Sequence, residues 1–111
     1  LISDSVAPTG MGDGEYEIWG EKVTVKGGRT RNERGSIAGS VITMHDAFVR
    51  MMSLGFSLTE ACKMASTNPA KLLGLIDSRG SIQVGKRADL VGLSADGEIR
   101  FVMIGGKSVD L

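Results

Sequence analysis

The sequence has little that would tie it to the outside of a cell, to a membrane or to nucleic acid. Cys62 is the lone cysteine among 111 residues, so a disulfide framework is excluded and a reducing, cytoplasmic setting is expected. Thirteen Lys and Arg balance thirteen Asp and Glu, which leaves no field to attract nucleic acid or an anionic membrane surface. No apolar run approaches the ~20 residues of a membrane helix, and no signal-peptide pattern stands before the first apolar triplet. His45 is the single histidine. It lies off the apolar stripe around it, with no second histidine to make a metal pair, and reads as a surface residue. Aromatic side chains are few, at 5%.

Glycine is what the chain has in plenty. Its 16 glycines, about twice the usual ~7%, punctuate segments whose apolar periodicity persists, so they mark turns rather than disorder. The chain opens on Leu1 without Met, inside the apolar triplet Leu1-Ile2-Ser3, and reads as a piece of a longer protein. The triplet reads as the tail of a buried strand with Asp4 at its end. A carboxylate there, before a loop rich in Gly and Pro, is a common place for catalytic or metal-binding chemistry; an Asp that merely starts a turn is the plainer alternative. Gly10-Met-Gly-Asp-Gly14 lacks the Gly-Lys-Ser/Thr ending of a phosphate loop, and no helix follows it.

Short strands are predicted next: Tyr16–Trp19, the alternating Lys22–Lys26, and Arg29–Asn32 across a Gly27-Gly28 turn. They form an exposed meander in which Tyr16 and Trp19 are the expected packing anchors. A loop of small residues, Ser36-Ile37-Ala38-Gly39-Ser40, would let its backbone approach a neighbour or a ligand closely. Thr43 with Asp46 resembles a capping box, and Met44, Ala47, Phe48, Met51 and Leu54 make an apolar stripe that ends at Gly55. Ser57 and Glu60 cap a second helix with Leu58, Ala61, Cys62 and Ala65 on its buried face, which makes Cys62 a small core residue. Asn68 caps a third helix with Pro69 at its first position, packed down by Leu72 and Leu73 and stopped by Gly74. From Gly80 onward the period is that of antiparallel strands: Ala88–Leu93, Ile99–Ile104 and Ser108–Leu111.

Two stretches together resemble a known family. Ala65-Ser-Thr-Asn-Pro-Ala-Lys-Leu-Leu-Gly74 followed by Gly80-Ser-Ile-Gln-Val-Gly-Lys-Arg-Ala-Asp-Leu-Val91 is similar to the segment joining the last barrel helices of metal-dependent amidohydrolases to their small β-sandwich. Ser3-Asp4-Ser5, Ala7-Pro8-Thr9-Gly10, Gly14-Glu15-Tyr16 and the Ile37–Ser40 loop narrow it to the N-acetylglucosamine-6-phosphate deacetylases. The resemblance implies an α/β fold, the C-terminal part of a (β/α)8 barrel plus closing strands of its β-sandwich, which taken alone is α+β. Residues 1–79 would hold the last barrel strand, the inserted meander and the barrel helices, and residues 80–111 the sandwich strands. It implies that Asp4 serves as general base and then acid, contributing to a divalent metal site (zinc or iron) whose other ligands this chain lacks. Ile37, Ala38, Gly39 and Ser40 would contact an amino-sugar phosphate, in a parent enzyme that is a homo-oligomer. The fragment alone would bind no metal and be inactive. Another amidohydrolase, dihydroorotase-like or a deaminase, and a non-catalytic α+β module pairing through a sheet edge are the competing readings.

Overall fold

Alternation of polar and β-branched residues decides the first part of the chain. In the computed structural model, which describes residues 1–111, Gly14–Ile18 (β1), Glu21–Lys26 (β2) and Arg29–Asn32 (β3) form an antiparallel meander in the order β1-β2-β3. Tyr16 pairs with Val23, and Val25 pairs with both Gly14 and Thr30. The period of two therefore puts Val23, Val25 and Thr30 on one buried face, with the lysines of β2 on the other. Asp13 fastens the meander's open end, accepting the Gly27 N–H with both carboxylate oxygens at 3.0 and 2.9 Å.

Tyr16 anchors as expected, donating its hydroxyl to the carbonyls of Met11 and Gly12. Trp19 does not. It occupies the β1–β2 turn with φ +51 and is 99% exposed. A type I′ two-residue hairpin turn needs positive φ at both centres, and Trp19 and Gly20 are the two residues placed there. The hairpin geometry overrides the ring's preference for a core.

The predicted strand Leu1–Ser3 is also corrected. Leu1–Asp4 joins no sheet, Ile2 is 77% exposed, and Asp4 itself is exposed. Strand structure needs a hydrogen-bonding neighbour along its length, and here only an isolated parallel bridge, Ser5 to Ser40, supplies one. The loop after it is firmer than its composition suggests: Pro8 is fully buried, between a Thr9-to-Val6 and a Met11-to-Pro8 turn bond.

Met44–Ser53 (α1) starts at the predicted cap. The Asp46 N–H donates to Thr43 Oγ1, and the Thr43 N–H returns a 2.7 Å bond to Asp46 Oδ2. Asp thus replaces the usual Glu, and the Thr43 backbone and hydroxyl bonds hold its carboxyl below the ordinary range. Of the predicted stripe only Ala47 and Phe48 are buried; Met44 and Leu54, at the two ends, are exposed.

Leu1–Leu54 and Gly55–Leu111 are separate compact units. The second begins with the Ser57–Glu60 capping box. Leu58–Cys62 (α2) then runs without a break through a π-helical turn, Lys63–Thr67, into Asn68–Leu72 (α3). There is no fresh cap at Asn68: Thr67 is already helical, and the Asn68 N–H donates to Lys63 O, five residues back. The physical reason is Pro69, which has no N–H and whose ring collides with the carbonyl one α-turn earlier; a wider turn carries the helix past it.

This phase shift leaves Ala61 and Ala70 as the buried positions, while Cys62, Leu72 and Leu73 are exposed rather than core. The chain returning after Gly74 covers the alanine side: a Cβ on Gly80, with φ +85, would lie 2.4 Å from the Ala70 Cβ. Only a bare backbone fits that contact. Leu90–Leu93 (β4), Ile99–Ile104 (β5) and Lys107–Val109 (β6) form an antiparallel sheet with a bulge between Gly92 and Leu93. No helix is long and apolar enough to cross a membrane.

Candidate active site

Three short-range choices bring residues 35 apart in sequence into one arrangement. Asp4 takes a left-handed backbone, φ +53, which a short polar side chain tolerates better than most. That turn aims its carbonyl at the Ser40 N–H, which donates at 2.7 Å. The Val6 N–H then donates to Ser40 O at 2.9 Å, and the Ser40 hydroxyl donates to Ser3 O. Ser5 closes the set by donating its hydroxyl to Ile42 O. The backbone on both sides of Asp4 is therefore held by bonds to residues 40–42. Its side chain stays exposed at the mouth of this clamp.

Gly39 is the close approach that small residues permit. Its φ is +101, and a Cβ there would lie 2.7 Å from Val6 Cγ1 and 2.9 Å from Asp4 O. Of the four expected substrate-loop residues, Gly39 and Ser40 meet Asp4 directly, Ala38 lies one residue further along, and Ile37 is 73% exposed at the outer end. His45 is half-buried near the start of α1.

Thr30 was not singled out by sequence. It is 2% exposed, donates its hydroxyl to Gly39 O at 2.5 Å, and accepts the Ala38 N–H at 3.1 Å. The signal available was its inward place in the β2–β3 alternation, where a polar side chain among valines needs a partner.

Metal-ligating groups do not cluster. Nowhere do three or more His, Cys, Asp or Glu side chains come together, whereas a catalytic zinc takes about three protein ligands. The donors in this chain therefore do not fit a complete divalent-metal site.

The tail motif has a different use. Lys86 donates its ammonium to Ile76 O and to Ser81 Oγ. Arg87 pairs with Asp89 at 2.8 Å, and Asp89 also accepts the Gly105 N–H at 2.7 Å, fixing the β5–β6 turn. The Gly105 N–H, reinforced by Arg87, keeps the Asp89 carboxyl below the usual range. A surface pocket of about 540 Å³ beside Lys86 is lined by Thr67, Lys71, Ile76 and Asp77 among others, with no histidine or cysteine.

The model of the amidohydrolase family matches residues 9–109. Among curated relatives, N-acetylglucosamine-6-phosphate deacetylase of Bacillus subtilis is 41% identical over 89% of this chain and 25% of its own length. A putative N-acetylgalactosamine-6-phosphate deacetylase of Escherichia coli is 38% identical over 96% of the chain and 65% of its own length. Among solved structures, N-acetylglucosamine-6-phosphate deacetylase from Thermotoga maritima superposes with a TM-score of 0.91 at 37% identity, covering 97% of this chain and 30% of that one. A mutant of the Mycobacterium smegmatis deacetylase in complex with N-acetyl-D-glucosamine-6-phosphate gives 0.83 at 35% identity, covering 97% and 29%. The chain thus spans between a quarter and two thirds of the length of these curated relatives.

Proposed function

We infer the function from one premise: the chain belongs to the amidohydrolase family. On that footing it is the C-terminal part of a longer deacetylase that hydrolyses N-acetylglucosamine 6-phosphate to glucosamine 6-phosphate and acetate. Residues 1–79 supply the inserted meander and the closing helices of a (β/α)8 barrel, with Leu1–Ser3 completing its last strand only beside the neighbouring strand of the longer protein, and residues 80–111 supply strands of its β-sandwich. The parent is a cytoplasmic homo-oligomer. Its divalent ion, zinc or iron, takes its ligands largely from outside these residues, with Asp4 as one contributor.

The observation that carries this reading is the clamp between Asp4 and Gly39–Ser40. It gives an exposed carboxylate a fixed backbone next to a loop in which the Ala38–Gly39 peptide unit takes no hydrogen bond within the chain. In this reading Asp4 takes a proton from the water that adds to the acetamide carbon. It returns that proton to the nitrogen as the C–N bond breaks, so that acetic acid and the amine leave, which then share the second proton of the water as acetate and ammonium. Ile37, Ala38, Gly39 and Ser40 orient the sugar.

The test is acetate release by the purified full-length protein from N-acetylglucosamine 6-phosphate and, separately, from its galactosamine epimer. The relatives named for the epimer make that second substrate the informative control. Faster turnover of the glucosamine sugar is expected. Turnover of the epimer alone, or of a dihydroorotate or deaminase substrate instead, would replace the reading.

A further inference from the structure

We propose that Thr30 is a positioning residue for the substrate loop, which makes the meander a brace for the active site; the proposal rests on the deacetylase reading above. A hydroxyl can donate one bond and accept two. Thr30 uses both capacities on one short stretch, donating to Gly39 O and accepting from the Ala38 N–H. Between those two groups lies the Ala38–Gly39 peptide unit. Its own C=O and N–H take no hydrogen bond within the chain. Both backbone groups of Ser40, by contrast, are engaged with Asp4 and Val6.

Thr30 therefore grips the loop on either side of the one peptide left to meet a ligand and sets its orientation. The side chain is buried by the β2–β3 register, in which Thr30 pairs with Val25. Strand packing thus fixes the hydroxyl, and the hydroxyl fixes the loop. Asp4 is held independently through Ser40, so the loss of Thr30's bonds should disturb sugar binding more than proton transfer.

Steady-state kinetics of Thr30→Val and Thr30→Ser in the full-length enzyme test this. Valine is nearly isosteric, suits a strand and removes both bonds. KM for the sugar phosphate should rise about tenfold, the equivalent of one or two lost hydrogen bonds, with kcat within about twofold. Serine keeps the hydroxyl and should return KM to the parent value. An unchanged KM in Thr30→Val, a loss confined to kcat, or a Thr30→Ser enzyme as weak as the valine variant would each overturn the proposal. The serine result stands even if the valine variant does not fold. Absence of acetate release by the unaltered enzyme would instead sink the deacetylase reading, so the two failures are separable.

Discussion

The Asp4 clamp and the Gly80–Val91 tail motif make opposite uses of their polar residues. In the clamp, three serines and backbone amides hold one another and leave a carboxylate exposed. In the tail, the charged side chains themselves are the ties: Lys86 to Ile76 and Ser81, Asp89 to Gly105 and Arg87. The tail is the more conspicuous motif in the sequence, yet its charges hold backbone turns in place. Conspicuous residues can be foldwork, while the plain Ser3-Asp4-Ser5 is where the proposed chemistry sits.

Equivalent glycine substitutions sharpen this contrast most. Gly39→Ala and Gly80→Ala each place a Cβ within 2.7 Å or less of a neighbouring side chain at positive φ, and each should lower stability by about 1–3 kcal/mol. Their activities should part: at matched folded fraction, Gly39→Ala loses catalysis because it displaces Asp4 and Val6, and Gly80→Ala retains it. Denaturant melts paired with acetate-release rates measure both. Equal loss of turnover in the two would erase the distinction.

A smaller effect concerns pH. Because the Asp89 carboxyl is depressed in the folded chain, it contributes stability above its unfolded value near 3.8–3.9. That contribution falls away as pH drops through the lower folded value. Asp89→Asn should therefore be less stable than the parent at neutral pH, with the gap closing below about pH 4. Acid-unfolding curves of the two proteins check this, and a gap that widens in acid would contradict it.

Much of this was legible from sequence where local rules suffice. The hairpin at Gly27-Gly28 and both capping boxes follow from side-chain chemistry within a few residues, and the structure has them. Departures came where a second constraint overrode the first: hairpin twist at Trp19, the missing N–H of Pro69, and the absence of a neighbouring strand at Leu1–Ser3. The pairing of Asp4 with the Gly39 loop was suggested only by resemblance, since no periodicity spans 35 residues. The inward place of Thr30 in the alternation signals that it needs a partner but not which one, because its partners are backbone atoms, which every residue carries.

The proposed role of Asp4 separates its carboxylate, which serves the chemistry, from its backbone, which the clamp holds. The most direct measurement is kcat together with the melting temperature of Asp4→Asn in the full-length enzyme. A fall in kcat of about 10²–10⁴, typical for a lost acid–base group, with an unchanged melting temperature is predicted. An unchanged kcat, or a loss of activity that tracks a loss of melting temperature, would contradict it.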